Sequence, residues 1–175
     1  MIDEIKIKIL RDKLSYDFKY DENKNDYKNN IRNNSIDTIL ILNSRKRAIF
    51  VSREVQTVAN HPHFDFLDTI APGKFKMRCF VEQRKYHGRI HGIVSARDLE
   101  NQEIDCYSMQ VENGYQKGRW LIHDRWSFEK ERDLFNGYSG GCFVMSSRDL
   151  FNFNRVLERY GVVKNDILNC SLIEV

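Results

Sequence analysis

The chain has 175 residues, with 28 basic and 25 acidic side chains and a formal net charge of +3. Its hydrophobic fraction of 41% is that of a globular protein, and its length fits one domain with a substantial core. Because the basic residues are interspersed with acidic ones along the sequence, we expect no nucleic acid partner, and no apolar run is long enough to predict a membrane span.

The first part of the chain predicts three strands. Isoleucines that alternate near the start indicate one strand within residues 1–19. Residues 20–35 are dominated by Asp, Asn, Lys and Glu, which predicts a solvated loop. Residues 38–42 and 48–52 are apolar and rich in β-branched side chains, so they predict two strands joined by a basic turn.

The rest of the chain predicts further strands and one helix. Strands are expected at residues 73–81, 87–94, 120–123 and 167–175. The charged segment 124–138 predicts a long loop that covers the cleft. After a serine N-cap at Ser146 or Ser147, apolar residues fall at helical spacing until Gly161 ends the helix. The pattern is that of a mainly β, mostly antiparallel protein with one C-terminal helix.

The strongest chemical signal is the pair formed by Cys142 and His123. Cys142 ends the run Ser139-Gly140-Gly141-Cys142, and His123 ends a short apolar run. A thiolate is a good nucleophile when an imidazole takes its proton, and small residues before it let backbone N–H groups approach an oxyanion. The alternative is that Cys142 is a small buried apolar residue and His123 a histidine that is hydrogen-bonded in the core.

The surroundings of this pair resemble the active-site signature of L,D-transpeptidases of the YkuD type. In that family, a histidine is followed at a similar spacing by Ser/Thr-His-Gly-Cys and an apolar residue. Here fifteen residues separate His123 from Ser139, and Phe143 follows the cysteine. Upstream, residues 69–75 resemble the family's Thr-Pro-x-Gly-x-Phe stretch.

The resemblance covers residues 37–175, which we interpret as the catalytic domain. Residues 1–36 are then an N-terminal strand with a polar extension. The resemblance implies an antiparallel β-sandwich or barrel with one C-terminal helix.

The resemblance also implies an activity, namely acyl transfer on peptidoglycan stem peptides by an L,D-transpeptidase or an L,D-carboxypeptidase. Cys142 would be the nucleophile and His123 the general base, while Ser139 would hydrogen-bond within the nucleophile loop or orient the histidine. The implied oxyanion donors are the backbone N–H groups of Gly140, Gly141 and Cys142. The candidates for contacts with substrate are Arg125, Arg89, His91 and Tyr138.

Two positions depart from the family pattern. Gly140 stands where the family usually has histidine, and Val144 stands where it has arginine or asparagine. Arg89, Arg119 and Arg125 are candidates to replace the missing polar residue, since arginine suits bidentate capture of carboxylates. An alternative function is therefore a catalytically idle YkuD-like binding or structural module of a phage or envelope assembly.

We expect no cofactor and no metal. The four cysteines form no CxxC pair, and a zinc site built on His87 and His91 would need ligands from His61, His63 or Cys79. By resemblance, the protein acts in the cell envelope or periplasm, although the start of the chain shows no secretory signal, so a non-classical route or a phage origin stays open. We expect a monomer.

Overall fold

Eight strands and one α-helix make up the regular structure of the computed structural model. It describes residues 5–16, 36–58, 69–86, 89–96, 99, 102, 104, 120–124, 139 and 141–175, and for 84–86 and 89–91 only the backbone. The strands are β1 (Lys6–Arg11), β2 (Asp37–Leu42), β3 (Ala48–Val55), β4 (Gly73–Tyr86), β5 (Arg89–Ser95), β6 (Leu121–Asp124), β7 (Phe143–Met145) and β8 (Ile167–Glu174). A 3-10 helix, η1 (Lys13–Tyr16), follows β1, and α1 (Ser147–Arg159) precedes β8.

The strands form one sheet in the order β3-β2-β1-β8-β4-β5-β6-β7. Its two ends meet, because Val144 in β7 and Gln56 just after β3 exchange two backbone hydrogen bonds of 2.9 Å. The result is a nearly closed, barrel-like sheet. The prediction of a mainly β fold with one C-terminal helix is confirmed. Most neighbouring strands are antiparallel, but β1 with β8 and β6 with β7 are parallel.

The N-terminal strand is part of the sheet. β1 lies between β2 and β8, and its Ile7 and Ile9 are fully buried. Full burial of an isoleucine side chain contributes about 1.5–3 kcal/mol, so this strand is a large part of the core. The division into 1–36 and 37–175 stays a prediction, and both partners of β1 lie beyond residue 36.

The other predicted strands are present with shifted ends, and β7 is a strand that the sequence does not predict. β7 has three residues and directly follows the glycine-rich loop, so it is too short to show a periodic pattern. β4 is longer than predicted and passes through a register shift between Arg78 and Glu82. There Phe80 has a φ of +55°, and a side chain at Gly92 in β5 would collide with it.

Alternate side chains of the strands fill the barrel interior. On β4 these are Phe75, Met77 and Cys79, and the ring of Phe75 lies 6.1 Å from that of Phe143, measured between centroids. The remaining core includes Ile39, Ile41, Val94, Ile122, Met145, Leu168, Cys170 and Leu172.

Helix α1 packs against one end of the barrel. Ser146 is its N-cap and accepts a 3.1 Å hydrogen bond from the N–H of Asp149, as predicted for one of the two serines. Phe153 packs edge-on against Phe50 of β3, with ring centroids 5.4 Å apart. Gly161, with a φ of +86°, lies just beyond the end of the helix.

The opposite end of the barrel holds a polar cluster, here called the polar end, which consists of buried Arg11, Ser15, Asp37 and Thr57 and half-buried Glu174. Arg11 is fully buried and donates to Thr57 Oγ1 at 2.7 Å, to the Thr57 carbonyl at 3.0 Å and to the Ile70 carbonyl at 2.7 Å. Asp37 accepts from the Ser15 and Thr57 hydroxyls and from two backbone N–H groups. Despite these bonds, burial raises the pKa of Asp37.

Candidate functional site

The parallel pairing of β6 with β7 brings the two predicted catalytic segments together. Ile122 lies opposite Phe143, and His123 lies opposite Val144. Because side chains alternate along a strand, His123 and Val144 lie on one face, and the core residues Ile122 and Phe143 lie on the other. Cys142 directly precedes β7, two residues before Val144. The ladder therefore places the predicted nucleophile two residues from the cross-strand neighbour of the predicted base.

A hydrogen bond to the backbone fixes the tautomer of His123. The side chain is buried, with 6% of its surface exposed, and Nδ1 lies 2.6 Å from the carbonyl oxygen of Asp124. A carbonyl oxygen only accepts, so Nδ1 carries the proton and donates it. In the neutral ring the lone pair is then on Nε2, which is the nitrogen that would act as a base.

Asp124 is a buried site residue that the sequence does not reveal. The sequence pattern places it at the start of a loop, but it is the last residue of β6 and is 3% exposed. Its Oδ2 accepts a 2.8 Å hydrogen bond from the Ser147 hydroxyl. This bond ties the end of β6 to the first residue of α1, so it supports the segment that carries His123. The sequence feature that could have indicated the burial of Asp124 is the alternation that puts it on the same face as Ile122.

Ser139 organises the loop that leads to the cysteine. Its hydroxyl donates to the Cys142 carbonyl at 2.8 Å and accepts from the N–H of Gly141 at 3.1 Å. Of the two roles left open for Ser139, the first, bonding within the nucleophile loop, is observed. Gly141 has a φ of +112°, which favours glycine.

The bond to Ser139 also bears on the predicted oxyanion donors. Since the N–H of Gly141 is engaged inside the loop, it can hold an oxyanion only if this bond is shared or released. Gly140 lies outside the described residues.

Three cysteines can be compared, and Cys142 differs from the other two. Its side chain is half-buried, whereas Cys79 and Cys170 are buried in the core, and none of the three is in a disulfide. Burial raises the pKa of the Cys79 thiol to about 12, with a smaller contribution from the Asp166 carboxylate. Burial also raises the pKa of Cys170. These two thiols are therefore unreactive in the folded protein. Cys106 lies outside the described residues.

Val144 stands at the position where the L,D-transpeptidase signature has arginine or asparagine, and it is 2% exposed. Its backbone partner across the closure of the barrel is Gln56, which is 1% exposed and donates through Nε2 to the Val58 carbonyl at 3.1 Å. Residues paired in a ladder share a face, so Gln56 lies on the same face as Val144 and His123. The sequence does not indicate Gln56, because the pairing joins two segments that are far apart in the chain.

The predicted substrate contacts fare differently. Arg125 and Tyr138 lie outside the described residues, as do residues 125–138 of the predicted cover loop. Arg89 and His91 lie on β5, where Ser95 pairs with Leu121 near the beginning of β6. Arg89 is six residues from Ser95, about 20 Å along the strand, so the register does not bring its backbone to the level of Cys142. Along β5, His91 lies between Arg89 and Ser95, so its backbone is also not at the level of Cys142.

The described residues offer neither a metal centre nor a helix that spans a membrane. Within this part of the chain, no three His, Cys, Asp or Glu side chains are grouped so that they could hold a metal ion. The helices described are all too short or too polar to cross a bilayer.

The fold and the residues around Cys142 define a barrel-like β domain with a half-buried thiol next to a strand that carries a buried histidine. The chain is 41% identical over 172 residues to an uncharacterized protein of Treponema pallidum (strain Nichols), an alignment that covers 93% of this chain and 77% of that protein. The chain therefore belongs to the same family as the treponemal protein. No protein-family model matches the chain, and no solved structure matches it.

Proposed function

We propose that the protein is a cysteine-dependent acyl transferase of the L,D-transpeptidase type that acts on peptidoglycan stem peptides in the cell envelope. The observation that supports this most is the parallel pairing of β6 with β7, which sets His123 beside Val144, two residues after Cys142. The half-buried thiol of Cys142 adds support, because a nucleophile must be reachable by its substrate.

The first step would be acylation of Cys142. His123 takes the thiol proton on Nε2, and the thiolate attacks the carbonyl carbon of the third residue of the stem. The bond from that carbon to the nitrogen of the terminal D-alanine breaks, and His123 returns the proton to this leaving amine. A thioester on Cys142 and free D-alanine result.

The second step decides between the two activities. If the amine of a second stem attacks the thioester carbon, a new amide crosslink forms and the thiol is regenerated. If water attacks instead, the product is a shortened stem with a free carboxylate, which is the carboxypeptidase reaction. Gln56 lies on the same face as His123, and its buried amide would have to be uncovered before it could contact the stem.

The second candidate is the idle binding or structural module. Two observations favour it: the N–H of Gly141 is already bonded to Ser139, and His123 is nearly fully buried. For catalysis, the loop would have to release the Gly141 N–H and the histidine would have to meet the thiol as substrate binds. The two candidates therefore differ in whether this loop rearranges around a bound stem.

Incubation with purified tetrapeptide stems, followed by mass spectrometry of the products, tests the proposal. Cys142→Ala and His123→Ala should each lower product formation by roughly 10³-fold or more, since they remove the nucleophile and the base. Arg53→Ala, at an exposed position on β3, is the control and should keep full activity. Thermal unfolding midpoints near that of the wild type show that the variants fold. Equal product from Cys142→Ala would refute the mechanism, and no product from any form would favour the idle module.

A further inference from the structure

The outward side of β8 and its two neighbours carries a cluster of cations that the linear sequence conceals. This surface, here called the β8 face, consists of the outward-pointing residues of β1, β8 and the first half of β4. They are Lys6, Lys8, Leu10, Lys74, Lys76, Arg78, Ile167, Asn169, Ser171 and Ile173. Five of these residues are cationic and none is acidic. In the sequence they are split among three segments, so no basic run marks them.

The register gives the cluster a regular geometry. Asn169 lies between Lys6 and Lys76 across the sheet, and Ser171 lies between Lys8 and Lys74. With strands about 4.8 Å apart and a rise of about 3.4 Å per residue, the Cα atoms of the four lysines outline a rectangle of roughly 10 by 7 Å. Two columns of positive charge thus flank a row of small hydrogen-bonding side chains.

The acids in the described part of the chain leave the cations of the β8 face without ion pairs. None of the five forms an ion pair with any residue that the structure describes. The acids described at the margins have other partners: Asp12 accepts from the Leu14 N–H, Asp166 accepts from the Val163 N–H, and Glu174 lies 3.7 Å from buried Arg11. Among the described residues, this face therefore presents positive charge with no acidic side chain on the same face.

Exposed aliphatic side chains stand at both ends of the β8 face. Ile167 and Val163 lie at one end, 47% and 61% exposed, and Ile173 and Leu14 lie at the other, 38% and 59% exposed. Leu14 is held there because the N–H of Lys13 donates to the carbonyl of Val175 at 3.2 Å. Large aliphatic residues exposed beside a cationic surface mark an interaction site.

We propose that the β8 face binds an anionic lipid surface. Lysines attract acidic headgroups, while aliphatic side chains beside them enter the boundary between headgroups and acyl chains. Single-stranded nucleic acid fits less well, because the face has no aromatic side chain on which bases could stack. A second copy of the same face fits less well too, because like charges would oppose each other.

The position of β8 in the barrel gives the binding an orientation. Three strands separate β8 from β7 on one side (β4, β5 and β6), and three on the other (β1, β2 and β3). β7 is therefore on the far side of the barrel from the β8 face. A protein bound through this face would turn the Cys142 loop away from the lipid. This inference does not depend on what reaction Cys142 performs.

Flotation with vesicles tests the proposal. The full chain should float with vesicles of phosphatidylglycerol and phosphatidylcholine in a ratio of one to two, and not with phosphatidylcholine alone. Replacing Lys6, Lys74 and Lys76 by glutamine should weaken the partition coefficient by about 100-fold, since each lysine near such a surface contributes roughly a fivefold factor. Replacing Arg45, Lys46 and Arg47 by glutamine removes the same charge from the β2–β3 turn and should weaken it less than tenfold.

The aliphatic residues require a separate variant. Leu14→Ser with Ile173→Ser should lose the part of the binding that resists high salt, because only the electrostatic part is screened. Equal losses from the two triple variants would overturn the proposal, since net charge alone would then explain the binding. So would a wild type that binds a single-stranded oligonucleotide but not the acidic vesicles, or one that binds neither. Unchanged circular dichroism shows that each variant is folded.

Discussion

The polar end and the Cys142 loop are both polar regions at the same end of the barrel, yet they are built in opposite ways. At the polar end, Arg11 and Asp37 are fully buried, and each has several hydrogen bonds to side chains and backbone. At the loop, hydrogen bonds of Ser139 to residues two and three positions away hold the backbone, while the Cys142 side chain is half-buried. Extensive hydrogen bonding and full burial indicate a structural role. An accessible thiol on a fixed backbone suits a catalytic role.

The energetic reason for the difference lies in desolvation. A buried charge is tolerated only when hydrogen bonds replace its lost hydration, so Arg11 needs the carbonyls of Thr57 and Ile70. A thiol is neutral at ordinary pH and can be partly buried at little cost. The half-burial of the Cys142 thiol therefore costs little free energy.

The largest expected effect is a difference in thiol reactivity. At pH 8, in a Cys106→Ser background, iodoacetamide should alkylate Cys142 about 1000-fold faster than Cys79, because burial raises the pKa of Cys79 to about 12. Cys170, whose pKa is also raised by burial, should react as slowly. Peptide mass spectrometry over time measures the three rates, and comparable rates would show that Cys142 is as protected as the core thiols. In urea all three should react alike.

The next effect is on stability. Arg11→Met should lower the free energy of unfolding by about 3–5 kcal/mol, because Asp37, Glu174 and two carbonyls lose a buried partner. Arg53→Met, at an exposed position on β3, is the matched control and should change it by less than about 0.5 kcal/mol. Urea unfolding followed by circular dichroism provides both values. If the polar end is purely structural, the Arg11 variant under native conditions keeps the wild-type alkylation rate at Cys142.

A smaller effect is expected in the loop itself. Gly141→Ala should cost about 1–2 kcal/mol, because its φ of +112° is strained for any residue with a side chain. It should also change the alkylation rate of Cys142, the next residue. Gly73→Ala is the control, since its φ is not in the left-handed region and no atom lies within 4 Å of the added Cβ. Equal stabilities of the two variants would mean that the loop is adaptable.

The smallest effect concerns pH. Burial raises the folded-state pKa of Asp37 above its ordinary value of 3.8, so the folded protein keeps a proton that the unfolded chain releases. The stabilisation from this proton is present below pH 3.8 and is lost as the pH rises through the folded-state pKa. Between the two pKa values, the stability of the wild type relative to Asp37→Asn should therefore fall by about 1.4 kcal/mol for each pH unit. Urea titrations at a series of pH values measure this, and a rise would mean that the hydrogen bonds outweigh burial.

The sequence predicts the strands and the helix that have a repeating hydrophobic pattern. It does not predict elements that are short, or pairings between segments that are distant in the chain. Alternation locates β1 and β4, apolar and β-branched composition locates β2 and β3, and an N-cap with helical spacing locates α1. β7, with its three residues, has too few positions to show a period. The central place of β1 is missed because its pairing with β8 joins the two ends of the chain.

The same distinction applies to the candidate site. Cys142 and His123 stand out in the sequence because their chemistry is written in residue type and spacing. Asp124 and Gln56 do not stand out. Their places in the site can be recognised only when their partners, Ser147 and Val144, are known.

The bridge between Gln56 and Val144 has a mechanical consequence. Among the residues that the structure describes, this one pair of hydrogen bonds joins the two ends of an otherwise continuous sheet, so it is the seam of the barrel. A seam closed by so few bonds opens more readily than the ladders around it, and its two amide protons should exchange with solvent sooner than those of β1 or β8. Because Cys142 lies two residues from the seam, each such opening would loosen its loop. Local opening of the barrel would therefore affect the Cys142 thiol first.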